Sequence, residues 1–326
     1  AWTHRNLFKG AQRLTVAAKL ASFVQELEGR LHVPYFLRRR MTLSQKLFVR
    51  NEQEINTDPL GLADALFNVE DPQPDYDLLR LGAETRVEYR FTRVLSTLAG
   101  LELSLNVFRD VDPSIVLAAG QDAVEDNFLL IQFIEVQHNT SNSLLNPIRG
   151  MLLRARLDHS TQAIASDVSF IKLVLEARRY QLLWRRMILA TRLLVGGIQP
   201  YGDSDDVPLN VRFFAGGPGS ARGFALHRLG PLDEEDDPLG GSSLIEGSVE
   251  LRFPIVGDLG GALFVDFGNV FDDAFTYRLD ELRYAVGPGI RYNTPIGPLR
   301  LDVGVIVDRR QDEAFGRLEL SIGQAF

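Results

Sequence analysis

From Leu79 to Phe91 the chain alternates almost without a break. Leu79, Leu81, Ala83, Thr85, Val87, Tyr89 and Phe91 share one parity, and Arg80, Gly82, Glu84, Arg86, Glu88 and Arg90 share the other. Successive side chains of a β-strand point to opposite faces, so this segment has one apolar face and one densely ionic face. The pattern recurs. Leu299, Leu301, Val303, Val305 and Val307 oppose Arg300, Asp302, Gly304 and Asp308, and Leu318, Leu320, Ile322 and Phe326 oppose Arg317, Glu319, Ser321 and Gly323. Fourteen segments read this way, near 11–22, 25–35, 38–51, 77–91, 95–109, 126–139, 150–160, 167–181, 184–197, 242–254, 259–270, 281–293, 298–308 and 315–326. The chain is therefore expected to be all-β and antiparallel.

The connections between these segments alternate in length. Asn293 to Pro298 and Pro254 to Gly260 are tight, whereas 52–76, 110–125 and 198–241 are long. Short turns on one rim and long loops on the other mark an outer-membrane β-barrel, and a transmembrane strand needs only about 9–11 residues. A spanning helix is excluded: the longest stretch free of Asp, Glu, Lys and Arg is Val136 to Ile148, and it is mostly polar. No apolar run of the secretory kind follows Ala1-Trp2-Thr3-His4-Arg5. A net charge of -8 argues against nucleic acid as partner, since phosphates demand excess Lys and Arg. The absence of cysteine removes disulfides and thiolate metal sites. Parity alone also fits a soluble β-sandwich with its apolar faces buried. The number of meander-like strands, the mixing of both charge signs with glycine on one parity, and an aromatic Phe326 at an outward-facing position favour the membrane.

Five motifs occur in a fixed order: RFFAGGPGSARGF (Arg212 to Phe224), GSVELRFP (Gly247 to Pro254), FVDFGNVF (Phe264 to Phe271), GPGIRYNTPIGPLRLDVG (Gly287 to Gly304) and LSIGQAF (Leu320 to Phe326). Together with NPIRG (Asn146 to Gly150) and NLFKGAQRL (Asn6 to Leu14), this set resembles the barrel domain of the BamA/TamA superfamily of outer-membrane assembly factors and its secretion relatives. The resemblance is most specific over the last 120 residues, while residues 25–125 match only in pattern.

The resemblance implies that residues 198–241 fold into the lumen as a loop whose arginine docks on acidic groups of the inner wall. The matching positions are Arg222, with Asp266 as acceptor and Glu250 as a second. Parity supports this independently. Leu263, Val265 and Phe267 take the lipid side, which turns Asp266 inward, and Val249, Leu251 and Phe253 do the same for Glu250. The guanidinium fork can pair bidentately with a carboxylate. Gly216, Gly217, Gly219 and Gly223 let the backbone approach the wall, with Phe224 directly after. LSIGQAF, through Leu320, Ile322, Gly323 and Phe326, resembles the terminal strand by which such barrels are recognised for insertion, and it forms half of the seam. Gly323 is expected to face inward.

Relatives have sixteen strands, and their NLF-G motif lies at the turn between strands two and three. Here that motif begins at residue 6, so the first two strands and the upstream POTRA repeats are expected to be missing from 1–326. Conventional chemistry is not indicated. His4, His32, His138, His159 and His227 fall in no ligand spacing and are expected on the surface or in loops. Ser220 sits in no nucleophile motif. Asp233 to Asp237 reads as a solvated acidic turn, and Glu84, Glu88 and Glu176 as members of lumen salt bridges with nearby arginines. The resulting expectation is a cofactor-free, non-enzymatic outer-membrane protein that inserts or exports β-rich clients. Its partners would be the lipid bilayer, unfolded substrates, POTRA domains and periplasmic proteins. A two-partner-type secretion pore and the membrane anchor of an upstream enzyme are the alternatives.

Overall fold

The side chains of the ionic parity are buried and those of the apolar parity are exposed. Leu301 and Leu320 retain 37% and 55% of their accessible surface, while Arg300 and Glu319 retain 3% and 5%. That inversion excludes the soluble sandwich, whose apolar parity would be the dry one. The computed structural model describes residues 1–6, 11–20, 24–37, 40–53, 76–294, 297–310 and 313–326. Its strands form one antiparallel sheet in chain order: β1 (Trp2–Arg5), β2 (Arg13–Leu20), β3 (Val24–Pro34), β4 (Met41–Gln53), β5 (Asp77–Arg90), β6 (Leu95–Arg109), β7 (Asn127–Asn139), β8 (Gly150–Ser160), β9 (Phe170–Leu182), β10 (Ile188–Pro200), β11 (Ser243–Val256), β12 (Leu259–Phe271), β13 (Arg283–Thr294), β14 (Gly297–Ile306) and β15 (Gly316–Ile322). No described helix is long and apolar enough to cross a membrane.

Fourteen of the fifteen strands coincide with the segments read from the sequence. The additional one is β1. Four residues are too few to show an alternation, and only the register Trp2↔Val16 to Arg5↔Arg13 makes it a strand. It precedes the Asn6 to Leu14 motif, on the side where no strand was expected. Residues 7–10 of that motif, and 54–75 of the 52–76 connection, lie outside the described residues. Of the histidines expected on the surface or in loops, His4 is exposed and His227 is in a loop, whereas His32, His138 and His159 are half-buried on strands. His32 hydrogen-bonds Ser44 Oγ at 3.2 Å, and His159 bridges Gln132 and Tyr201 at 2.7 Å each. Period-two reading places these rings on strands but gives them no role.

The sheet curls on itself. Asn146, in the turn after β7, reaches Asn293 at the end of β13 and Gln324 after β15 at 3.4 and 2.9 Å. No register joins β1 to β15 among the described residues. The long connection between β10 and β11, residues 201–242, fills the interior. Its Val211, Phe213, Ala221, Phe224 and Leu229 pack against inward residues Leu129, Phe170, Ile198, Val270 and Ile306 of the wall. The core therefore lies between loop and wall. The 110–125 connection contains a short helix, α1 (Pro113–Ala119). It is capped by Asp112, whose side chain accepts from Ser114 N, and its Ile115 packs with Tyr76 and Leu78 at the start of β5, Phe108 at the end of β6 and Leu209 of the 201–242 connection.

Candidate functional site

Arg222 is carried into the barrel by a loop whose neck is closed by the antiparallel bridge Phe213↔Gly241. Gly216, Gly217 and Gly223 take φ of 106°, 92° and 93°, values that favour glycine. The reversal they produce is tied by Ser220, whose amide donates to Gly217 O at 3.0 Å and whose hydroxyl accepts from Gly216 N at 2.8 Å. The Ser220 hydroxyl also donates to Glu246 of β11.

The guanidinium then meets β12 in a fork. Nε donates to Asp266 Oδ2 at 2.7 Å and Nη2 to Oδ1 at 2.9 Å, while the Arg222 amide donates to Oδ2 at 3.0 Å. Nη1 donates to Glu250 Oε2 at 2.5 Å and reaches Asp302 Oδ2 on β14 at 3.4 Å. Nη2 reaches Ser248 Oγ at 3.3 Å, and the ring of Phe264 lies 3.5 Å from the guanidinium carbon. Arg222, Glu250, Asp266 and Asp302 are all at most 1% exposed. The structure thus brings together Arg222, Glu250 and Asp266 and adds Asp302 to them.

The surrounding wall balances this charge. Arg291 bridges Asp302 Oδ1 at 2.5 Å and Glu250 Oε2 at 3.0 Å, Arg252 donates to Glu250 Oε1 at 2.6 Å, and Arg300 lies 3.2 Å from Asp302. Four arginines (222, 252, 291, 300) face four acids (250, 266, 302, 319), so the cluster is formally neutral. Burying one unpaired member would cost far more than burying the set. Several wall groups hold the loop backbone itself. Arg300 donates to Pro218 O at 2.9 Å, and Gly223 N donates to Glu319 Oε1 at 3.4 Å. At the neck Lys172 donates to Val211 O at 2.7 Å with its ammonium 4.3 Å from the Phe213 ring centre. Phe224 is 1% exposed, with the Arg283 guanidinium 4.9 Å from its ring. Gly223 packs backbone to backbone on Gly304 of β14.

Sequence reasoning missed Asp302, Arg300, Lys172 and Gly304. Parity does turn Asp302 and Gly304 inward, but only the register places them opposite the loop. Glu84, Glu88 and Glu176 lie in ion pairs with inward arginines, Glu176 with three of them, Arg154, Arg178 and Arg192. The acidic run closes on itself: Asp233 Oδ1 accepts the amides of Glu235 and Asp237 at 2.8 Å each.

A sequence profile of the Omp85 superfamily domain matches residues 6–326. The chain belongs to the Omp85 superfamily. It is 31% identical over 207 residues to the outer membrane protein assembly factor BamA of Nitratidesulfovibrio vulgaris, a match covering 62% of this chain and 26% of that protein. It is 26% identical over 329 residues to BamA of Neorickettsia risticii, covering 96% of this chain and 41% of that protein. The crystal structure of Haemophilus ducreyi BamA lacking POTRA domains 1-3 superposes with a TM-score of 0.80 at 18% identity, covering 98% of this chain and 66% of that one. The chain therefore spans from about a quarter to two fifths of the length of these curated relatives. This Omp85 chain is an outer-membrane β-barrel.

The far end of the Omp85 barrel departs from expectation. Leu320 and Ile322 face outward on β15, but Phe326 does not. The strand stops at Ile322, and Gly323 takes φ 103°, outside the regular strand, with its amide bonded to Pro298 O at 2.8 Å. The chain then turns into the lumen. Phe326 is 9% exposed, stacks on inward-facing Tyr180 at 6.4 Å and packs with Ala190. Parity assigned Phe326 to the lipid because it assumed a continuous strand. A left-handed glycine breaks that continuity and inverts the facing of the residues after it.

Proposed function

We propose that this chain is the membrane-embedded part of a factor that assembles β-rich proteins into the outer membrane. In this reading it acts without chemistry of its own, by offering a strand edge. The observation that carries the reading is the occupied lumen: Arg222 locks the 201–242 loop onto Glu250, Asp266 and Asp302, so a client is engaged at a strand edge and not through the interior. That edge would be β15, which pairs with β14 from Leu299↔Ile322 to Val305↔Gly316. An uncovered edge presents backbone donors and acceptors to any strand that approaches, and β-augmentation follows from that. In lipid the pull is stronger, since unsatisfied peptide groups there cost several kcal/mol each by order of magnitude. The arginine loop is the fixed centre on which the wall is braced, and Leu320 and Ile322 are the lipid-facing side of the templating strand. The relatives' function, their POTRA domains and their unfolded clients come to this chain as part of the same proposal. A secretion pore needs an open lumen, and the docked loop, with Arg222 buried against three strands, favours assembly over export.

The test uses the absence of cysteine from residues 1–326, with any cysteine elsewhere in the protein replaced by serine. In the full-length protein reconstituted in vesicles, Leu320→Cys on β15 is combined with single cysteines walked along the terminal strand of an unfolded client barrel. Disulfides are expected at alternate client positions, as a two-residue pleat demands. Glu319→Cys, on the lumen face of the same strand, is expected to capture the intervening client positions, and Arg300→Cys on β14, one strand away from the edge, is expected to capture none. Capture at position 300 with none at 319 or 320 would assign the barrel to export instead.

A further inference from the structure

The turn joining β9 to β10 contains a backbone choice that folding alone does not explain. Trp184 to Met187 is a tight turn closed by Met187 N donating to Trp184 O at 3.3 Å. Its two central residues, Arg185 and Arg186, both have positive φ, 57° and 61°. A turn with two left-handed central residues is the type for which Asn-Gly is strongly preferred, because a β-carbon is strained there. Here both positions carry arginine. Backbone strain tolerated at a surface turn points to side chains that are used.

The surroundings say for what. Trp184 is 72% exposed, and the Arg185 guanidinium lies 4.2 Å from its ring. Arg179, exposed and on the lipid parity of β9, stands three residues before the strand ends at Leu182. Arg149, also exposed, directly precedes Gly150, the register partner of Tyr180. Neither the 140–149 turn nor the 183–187 turn contains a carboxylate. Four arginines and one tryptophan therefore share the short-turn rim, where the apolar band of β8 to β10 (Leu153, Leu175, Leu193) ends. An indole at that level sits at the membrane interface, amphipathic and half wet.

We propose that Arg149, Arg179, Arg185 and Arg186, with Trp184, form a headgroup site for anionic phospholipid on the short-turn rim. The lipid's phosphate, with no headgroup cation to compensate it, would meet the guanidinium forks, which bind phosphate oxygens bidentately. Its acyl chains would lie on the adjoining leucines. Occupied in this way, the site would fix the depth and tilt of the barrel at β8 to β10.

The experiment exploits the tryptophan itself. Residues 1–326 have two, Trp2 and Trp184, so Trp2→Phe, with any tryptophan outside these residues replaced as well, leaves one reporter inside the site. That variant of the full-length protein is placed in vesicles containing phosphatidylglycerol or phosphatidylcholine, each brominated near the carbonyl end of the acyl chains, and fluorescence quenching is compared at equal mole fraction. One arginine beside an anionic surface favours binding about fivefold, so quenching is expected to show a preference for phosphatidylglycerol of about that size or more. Arg185→Asn with Arg186→Gly gives the turn its preferred residues while removing both charges, so the barrel keeps its fold. The preference is expected to fall at least about fivefold in that variant. Equal quenching by the two lipids, or a preference untouched by the double substitution, overturns the proposal. So does a preference that free inorganic phosphate abolishes at unchanged ionic strength, because the site would then be a soluble-anion site. Failure here leaves the strand-templating reading intact, since β15 and client capture are read independently.

Discussion

Arg222→Ala is expected to destabilise the barrel by about 3–5 kcal/mol, the usual cost of removing one partner from a buried ionic set. Three carboxylates, Glu250, Asp266 and Asp302, lose their shared counter-ion inside a wall where none is more than 1% exposed. Arg252, Arg291 and Arg300 still neutralise part of that charge, but none of them replaces the fork on Asp266. The loop loses its central tether at the same time. The variant should unfold at lower denaturant than the parent, and a protease added on the long-loop side should cut within residues 201–242 of the still-folded barrel. Arg222→Lys should behave nearly as badly. An ammonium cannot reach Asp266 through two parallel bonds while also holding Glu250, and it lacks the planar face that lies on Phe264. Asp266→Asn should expose the loop as well, but with a smaller loss, because it removes a negative charge rather than stranding three. Parent-like loop protection in Arg222→Ala would mean that the apolar contacts of Phe213, Phe224 and Leu229 hold the loop unaided.

The fold was legible because an outer-membrane barrel presents its polarity directly in the primary structure. Lipid outside and ion pairs inside impose opposite chemistry on successive residues, and Leu299 to Val307 shows it without help from neighbours. The docking of Arg222 was partly legible for the same reason: parity turned Asp266 and Glu250 inward, and the glycines made a close approach possible. Asp302 shows where such reading stops. It has the correct parity, but whether it meets Arg222 depends on register across β12, β13 and β14, with Asp266 opposite Ala285 and Asp302 opposite Gly289. Register is a pairing property and no single strand encodes it. Phe326 was misplaced for a different reason. One glycine with φ 103° converts an outward position into a lumenal one, and glycine gives no sign of which conformation it will take. The arginine pair at the β9–β10 turn shows the reverse case. Its sequence suggests nothing, and only the backbone angles reveal that the residues sit against their preference.

Gly304→Ala should release the loop without touching a charge. A β-carbon at position 304 would lie 2.6 Å from Gly223 Cα and 2.7 Å from the carbonyl carbon of Arg222. Both are backbone atoms, so no side-chain rotation relieves the clash; either β14 bends or the loop lifts. Overpacking a close contact costs about 1–3 kcal/mol. A loop displaced there also draws Arg222 off Asp266, so protease sensitivity in 201–242 should approach that of Arg222→Ala. The two substitutions then act on one event and should not add. In the Arg222→Ala background, where the loop has already left the wall, Gly304→Ala should cost less than about 0.5 kcal/mol, the scatter seen for uncoupled sites. Gly29→Ala serves as the comparison: it too replaces a strand glycine, yet nothing lies within 4 Å of the added carbon. It should be neutral or slightly stabilising, since alanine is better suited than glycine to a strand interior. Full additivity of Gly304→Ala with Arg222→Ala would separate the two contacts energetically, and the arginine would then hold the wall together without holding the loop against it.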